Sequence, residues 1–322
     1  MNLSVAKIRE IAGCFWQSRI LLTAVELKLF DVFGDFLSSE EVAKRLKINE
    51  RAIEILLHAL AAIGVLEKKG EKFGLTEAAA IFLRTDSEEY PGGGLRHMAH
   101  LWKDWSKLTS IIKSGCPIKR RKRINRDFIL GMEHLAKEVA EKVANLIDLS
   151  EARLMLDLGA GSGAYSVAFL KRYPKLKAVL FDLPGPINVA KELIKKKKIE
   201  KKRIKFIKGD FLKDDLGNNY DFVWMSSIIH IFGEKENKFL LKKVYQSLNN
   251  KGKIGIRDFL LDESGLNPPW AAIFSVNMLI HTQKGRSYKE KEVIYWVKEL
   301  GFDSIKTIPL DERSKIILAI KP

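Results

Sequence analysis

Beyond residue 150 the chain alternates short apolar runs with amphipathic stretches, and that alternation sets the expected architecture. Apolar runs near 153–158, 177–181, 204–207, 221–225 and 252–258 read as buried strands, separated by helical patterns near 164–172, 186–195 and 234–248. Strands and helices in regular succession imply a parallel sheet covered on both faces. A helix from Tyr288 to Leu300 and closing strands near 304–308 and 314–320 complete it.

The first third is patterned differently. Residues 4–33 read as packing helices, with apolar spacing at Ile8, Ile11 and Phe15 and then at Ile20, Leu21, Ala24, Leu27, Phe30 and Val32. Ser38 with Glu41 three residues on is a capping-type start for a short helix over Val42–Leu46, and Asn49 caps a second over Arg51–Ile63. Leu66–Thr76 then reads as a two-stranded wing, so helix, turn, helix and wing form a winged-helix arrangement. A DNA-reading second helix needs exposed polar side chains that reach base edges. This one is apolar on more than one face, and its simplest use is burial against a second copy of the chain.

From Tyr90-Pro91-Gly92-Gly93-Gly94 a connecting segment carries Trp102 and Trp105, followed by an amphipathic helix over Asp127–Leu149 with Ile129, Met132, Leu135, Val139, Val143 and Leu146 as its core stripe. His97 and His100 share a helical face but lack a third ligand, and packing is the default for them. At 322 residues, 46% hydrophobic and 30% charged, the chain has the composition of a globular protein with room for two cores. No stretch reads as a membrane span or signal peptide, so a cytoplasmic location is expected. Cys14 and Cys116 lack metal-ligand spacing and read as buried or incidental thiols. The net charge of +16 is concentrated in Lys195–Lys198, Lys201–Arg203 and Lys119–Arg123 without interleaved aromatics, the pattern of a solvated face more than of a nucleic-acid platform.

The chemistry gathers after the first strand of the second half. Leu154-Met155-Leu156-Asp157-Leu158 runs into Gly159-Ala160-Gly161-Ser162-Gly163-Ala164. Alternate glycines admit a tight turn and the close approach of a ligand to the N–H groups of the helix that follows. That is a cofactor site, which on these residues alone also suits a nicotinamide or flavin dinucleotide, or a structural turn. Asp182, at the tip of the neighbouring strand, suits a ribose diol. His230 follows the fourth strand and Asp258 ends the fifth, so the two side chains can meet, with a carboxylate on Nδ1 and Nε2 left free as a general base.

Asp157 ahead of the first glycine, Phe181-Asp182-Leu183-Pro184, Gly209-Asp210-Phe211 and Ser226-Ser227-Ile228-Ile229-His230 together resemble the class I S-adenosylmethionine-dependent methyltransferases. Within that class the pattern resembles the small-molecule O-methyltransferases, which include plant phenolic, acetylserotonin, and bacterial polyketide and pigment enzymes. The resemblance implies an α/β fold: a Rossmann-like doubly wound sheet over 151–322, an all-helical winged-helix dimerisation domain over 1–90, and a helical connection over 91–150 that adds to the acceptor pocket. It implies that Asp157, Gly159, Gly161, Gly163, Asp182, Leu183, Asp210, Phe211 and Ser226 hold S-adenosyl-L-methionine. His230 and Asp258 would be catalytic, and Trp102, Met132, Phe274 and Met278 would touch the acceptor. The implied partners are a hydroxyl-bearing aromatic, polyketide-like or quinone-like small molecule and a second subunit, with no nucleic acid, metal or membrane span. C- or N-methylation, or a noncatalytic winged-helix regulator, are the alternatives. Three departures bring the pattern closer to bacterial members: Ile231 replaces an acid, Ser226 a lysine, and Gly285 lies in the region of a second orienting glutamate.

Overall fold

In the computed structural model, which describes residues 3–87, 89–118 and 126–322 apart from the side chains of Asp127 and Glu138, the capping signals of the first third hold atom by atom. The Ser38 hydroxyl accepts from Glu41 N while the Glu41 carboxylate accepts from Ser38 N, and Asn49 Oδ1 accepts from Ala52 N. These caps start α2 (Ser39–Leu46) and α3 (Glu50–Ala62), preceded by the long α1 (Val5–Glu26). The wing has one strand more than its pattern announces. Leu37–Ser38 (β1) pairs antiparallel with β3 (Lys72–Leu75), whose other neighbour is β2 (Leu66–Lys69), giving a three-stranded sheet where an all-helical domain with a two-stranded wing is expected. Two residues are too few to show a period, which is why the strand escapes the sequence.

The apolar residues of α3 are used mostly inside their own unit. Ile53, Leu57 and Leu60 are buried among Val25, Phe30, Val42 and Phe73, whereas Ile55 stays exposed. Along α1 the division is sharper: Leu22, Ala24 and Val25 are buried, while Ile8, Ile11, Phe15 and Trp16 are exposed, so the amino-terminal half of this helix is not a packing helix within the chain. The unit continues through α4 (Glu77–Phe82) into α5 (Gly92–Trp105). Gly92–Gly94 form the first turn of that helix and not a loop. The chain divides into two compact units, Met1–Trp102 and Lys103–Pro322.

In the second unit α6 (Leu108–Ser114) and α7 (Arg126–Leu146) lead to the sheet. On α7 the buried stripe is Ile129, Ala140, Val143 and Ala144, continued by Ile147; Leu135 and Leu146, placed in the core by spacing, are exposed. The strands are β4 (Leu154–Leu158), β5 (Lys177–Asp182), β6 (Ile204–Lys208), β7 (Tyr220–Ser226), β8 (Leu248–Asp258), β9 (Asp303–Pro309) and β10 (Lys315–Ile320), ordered β6-β5-β4-β7-β8-β10-β9. The first five are parallel. β10 is antiparallel to both of its neighbours, β8 and β9, and returns from β9 through a tight turn in which Asp311 accepts from the N–H groups of Arg313 and Ser314.

Helices α8 (Ala164–Arg172) and α9 (Pro184–Lys195) join α7 on one face of the sheet, and α10 (Glu234–Ser247) and α12 (Glu290–Glu299) cover the other. A helix without a counterpart in the sequence reading, α11 (Pro269–His281), follows β8. Cys14 and Cys116 are both exposed and form no disulfide, so of the two readings, buried or incidental thiols, the second applies. The Lys119–Arg123 cluster lies outside the described residues. Of the other clusters, Arg203 is structural: its guanidinium donates to the carbonyls of Leu170, Tyr173 and Leu176, closing the end of α8 onto β5. Among the described residues no helix is long and apolar enough to cross a membrane.

Candidate active site

Strand order reverses on either side of β4, and the crevice outside the carboxyl ends of the strands at such a point is where open α/β sheets bind ligands. The glycine turn lies there. Gly159, Gly161 and Gly163 all have positive φ, at 71°, 56° and 82°. A Cβ on Gly159 would collide with the Ile228 side chain, and one on Gly163 would crowd Leu180 and Ile194. Around Gly161 the space where a Cβ would stand is open, so its backbone can be approached closely.

Two acids flank the turn. Asp157 is 2% exposed and accepts from the Ser166 hydroxyl at 2.6 Å. Burial pushes its carboxyl up to about 7, against the pull of that hydrogen bond and with help from the nearby charge of Asp182. Asp182 ends β5 and accepts from Gly161 N at 2.8 Å and Leu183 N at 2.6 Å; burial raises its carboxyl too, against those two N–H groups. Further along the edge, Asp210 accepts from Leu212 N at 3.1 Å and stands 3.3 Å from Lys213, and the Phe211 ring meets Phe232 edge-on. Ser226 closes β7 opposite Arg257.

His230 sits on a single turn of 3₁₀ helix, Ile229–Ile231, just after β7. Its Nδ1 lies 2.7 Å from Asp258 Oδ1 at the end of β8, and both side chains are buried. Burial alone would raise the Asp258 carboxyl. The His230 ring, the Phe259 N–H and the Arg257 charge outweigh it and hold the group below the usual carboxylate range. Rings enclose the imidazole: Phe274, on α11, meets it edge-on at 4.9 Å and Phe259 stacks at 6.0 Å.

The turn that carries the histidine is clamped by its backbone. Asn237, fully buried on α10, donates Nδ2 to the carbonyls of Ile229 and Phe232, and the Tyr288 hydroxyl donates to the same Phe232 carbonyl at 2.7 Å. Gly285 presses on the remaining side, where a Cβ would overlap the carbonyl oxygens of His230 and Ile231. Asn237 and Tyr288 were not among the sequence-based site residues. An asparagine seven positions after a histidine carries no motif, and only the fold reveals what it holds.

Of the residues expected at the acceptor, Phe274 touches His230, and Met278 is buried one turn further along α11. Met132 is half-buried on α7. Trp102 belongs to the first unit, where its ring lies 6.2 Å from Phe15 and under the Arg19 guanidinium.

Comparison with known proteins points the same way as this geometry. A family model described as an O-methyltransferase domain matches residues 113–303, and one described as an O-methyltransferase dimerisation domain matches residues 9–85. The chain is 29% identical over 314 residues to 3-hydroxy-5-methyl-1-naphthoate 3-O-methyltransferase from Streptomyces sahachiroi, covering 94% of this chain and 90% of the relative. It is 27% identical to the tetracenomycin polyketide synthesis 8-O-methyl transferase of Streptomyces glaucescens, with 98% and 96% covered. Among solved structures, an O-methyltransferase family protein from Burkholderia thailandensis superposes with a TM-score of 0.92 at 25% identity, over 100% of this chain and 99% of the other.

Proposed function

We propose, from the premise that this chain belongs to the O-methyltransferase family, that His230 is the general base and Asp258 its orienting acid in methyl transfer to a hydroxyl of an aromatic or polyketide-like small molecule. The observation that carries this reading is the 2.7 Å contact between His230 Nδ1 and Asp258 Oδ1, beside a glycine turn at the switch point of the sheet.

The donor of this enzyme class is S-adenosylmethionine, and the residues present fit it. The open backbone at Gly161 admits the close approach of a ligand, while Asp157 and Asp182 offer acids to its ammonium and hydroxyl groups. Asp182 already accepts one N–H on each oxygen, which leaves lone pairs for a diol. By the family pattern Leu183, Asp210, Phe211 and Ser226 complete the donor set. When bound, the donor supplies a methyl group already activated on a sulfonium.

The chain's own task is therefore alignment and proton removal. Asp258 accepts the Nδ1 proton and so keeps the Nε2 lone pair turned outward. Nε2 takes the hydroxyl proton as the acceptor oxygen becomes nucleophilic, and the imidazolium so formed is stabilised by a carboxylate that stays ionised. Phe259 and Phe274 line the ring with apolar surface and exclude water around the proton transfer. Phe274 and Met278 serve as acceptor contacts on the strength of their place on α11; Met132 enters through the family resemblance. Incubating the protein with methyl-labelled donor and cell extract should give a labelled, base-stable small-molecule ether. Donor binding by calorimetry accompanies it, and absence of both overturns the reading.

We read the first unit as a homodimerisation domain, supported by the match over residues 9–85 and by the exposed Ile8, Ile11, Phe15 and Trp16 of α1. Phe15→Asp with Trp16→Asp should turn a dimer into a monomer in light scattering. An unmodified protein that is monomeric at micromolar concentration removes this role.

A further inference from the structure

Arg257 immediately precedes Asp258 on β8, so its side chain leaves the sheet on the face opposite the histidine-aspartate pair. The side chain is only 12% exposed, and its charge is met at long range, by an ion pair with Asp311 at 3.9 Å and by the neighbouring Asp258. Nη1 donates to Ser227 Oγ at 2.9 Å and Nη2 to Ser314 Oγ at 3.1 Å, both neutral groups. The carboxylate paired with it, Asp311, is also engaged by the Arg313 and Ser314 N–H groups and the Ser314 hydroxyl. Nε is buried and has no partner among the described residues. A guanidinium taken out of water with its carboxylates only at this range is stabilised further by an anion that meets it in hydrogen-bond contact.

Its anchors tie it to both halves of the site. Ser227, in the left-handed region at φ 60°, is followed by Ile228, which lies against Gly159 of the glycine turn. On the other side the guanidinium rests over the Phe259 ring at 4.8 Å, and Phe259 stacks on His230. Asp157 and Asp182, beside the glycine turn, have no ion-pair partner among the described residues. They suit the positive part of a ligand and repel its negative part, whereas Arg257 does the opposite.

We propose that Arg257 is a carboxylate-recognition residue of the methyl-transfer site and that the anion it meets in hydrogen-bond contact is the carboxylate of a bound small molecule. This rests on the reading above that the crevice holds a methyl donor and its acceptor. Two sources carry that chemistry: the amino-acid end of the donor, and an aromatic acceptor that bears a carboxylate beside its hydroxyl.

Calorimetry on the full chain separates them with two ligand pairs. The first is S-adenosylhomocysteine and its decarboxylated analogue; the second is a hydroxynaphthoic acid and the naphthol that lacks the carboxylate. Arg257→Met should weaken the carboxylate-bearing member of one pair by about 10–100-fold, the loss typical of a charge-assisted hydrogen bond, and leave its carboxylate-free partner unchanged. A selective loss in the first pair assigns the donor carboxylate, and one in the second pair assigns the acceptor. Arg257→Lys, which keeps the charge but not the fork, should fall between. If Arg257→Met and Arg257→Lys bind every ligand as the unmodified protein does, or weaken both members of a pair equally, the proposal is overturned. Failure of the unmodified protein to bind S-adenosylhomocysteine is a different result, which removes the donor reading itself.

Discussion

The glycine turn and the histidine corner lie along the same edge of one sheet and are built in opposite ways. The turn is one contiguous stretch, from Asp157 to Gly163, whose geometry is written into its own left-handed dihedrals and completed by a single distant side chain, Asp182. The corner is assembled from separate places: a 3₁₀ turn after β7, the last residue of β8, Asn237 on α10, and Gly285 and Tyr288 beyond α11. A contiguous motif survives changes elsewhere in the chain. A corner fails when any of its distant supports moves, so substitutions in the two regions should separate donor binding from methyl transfer.

The largest separation is expected at the base. His230→Ala should lower the single-turnover transfer rate by roughly 10²–10⁴, the usual worth of positioned proton transfer, with donor affinity almost unchanged. A near-normal rate at a pH where the acceptor hydroxyl is un-ionised would show that alignment alone suffices. Next comes the clamp. Gly285→Ala places a methyl group on the carbonyls of His230 and Ile231 and should displace the imidazole enough to slow transfer by up to about 10²-fold, again without loss of donor affinity. If the rate holds while the protein stays folded, the corner has slack that the contacts do not suggest. Asp182→Ala belongs to the other region. It should weaken donor binding in calorimetry by about 1–3 kcal/mol, and at saturating donor the transfer rate should recover.

The same contrast decides what the sequence makes legible. The glycine spacing, Asp182 and the succession of strands are visible because the signal is local: an apolar run, a turn, and a helix start within one stretch. The pairing of His230 with Asp258 is also within reach, since both follow adjacent parallel strands and the topology alone brings them together. Asn237 and Tyr288 are not, because what they hold are main-chain carbonyls of another segment, and carbonyls have no sequence. Helix α11 escaped for a related reason. It is apolar on nearly every side, so its residues show no period, and Phe274 and Met278 enter the sequence reading only through the family resemblance. Gly285, which lies in the region of a second orienting glutamate, packs its backbone closely on the carbonyls of His230 and Ile231, a contact that spacing does not reveal.

The two regions differ finally in the state of their acids, and this gives the mildest test. Asp258 is held below the usual carboxylate range, so it stays ionised and exchanges no proton near neutrality. Asp157 is raised from 3.8 to about 7, chiefly by burial, so the unliganded protein carries it roughly half protonated near pH 7. Because its folded value lies above the unfolded one, its contribution to stability is complete below about pH 4 and is lost as the pH rises through about 7. A cationic ligand beside it acts in the opposite sense by favouring the ionised form. Binding of S-adenosylmethionine at about pH 7 should therefore release a fraction of a proton, about half at most. Calorimetric enthalpies in phosphate and in Tris, which differ in ionisation enthalpy, report this release as a slope. Asp157→Asn keeps an oxygen for the Ser166 hydroxyl but cannot titrate, and should abolish that slope. A slope that persists in the variant assigns the proton to another group, and no slope in the unmodified protein means that the positive part of the donor lies away from Asp157.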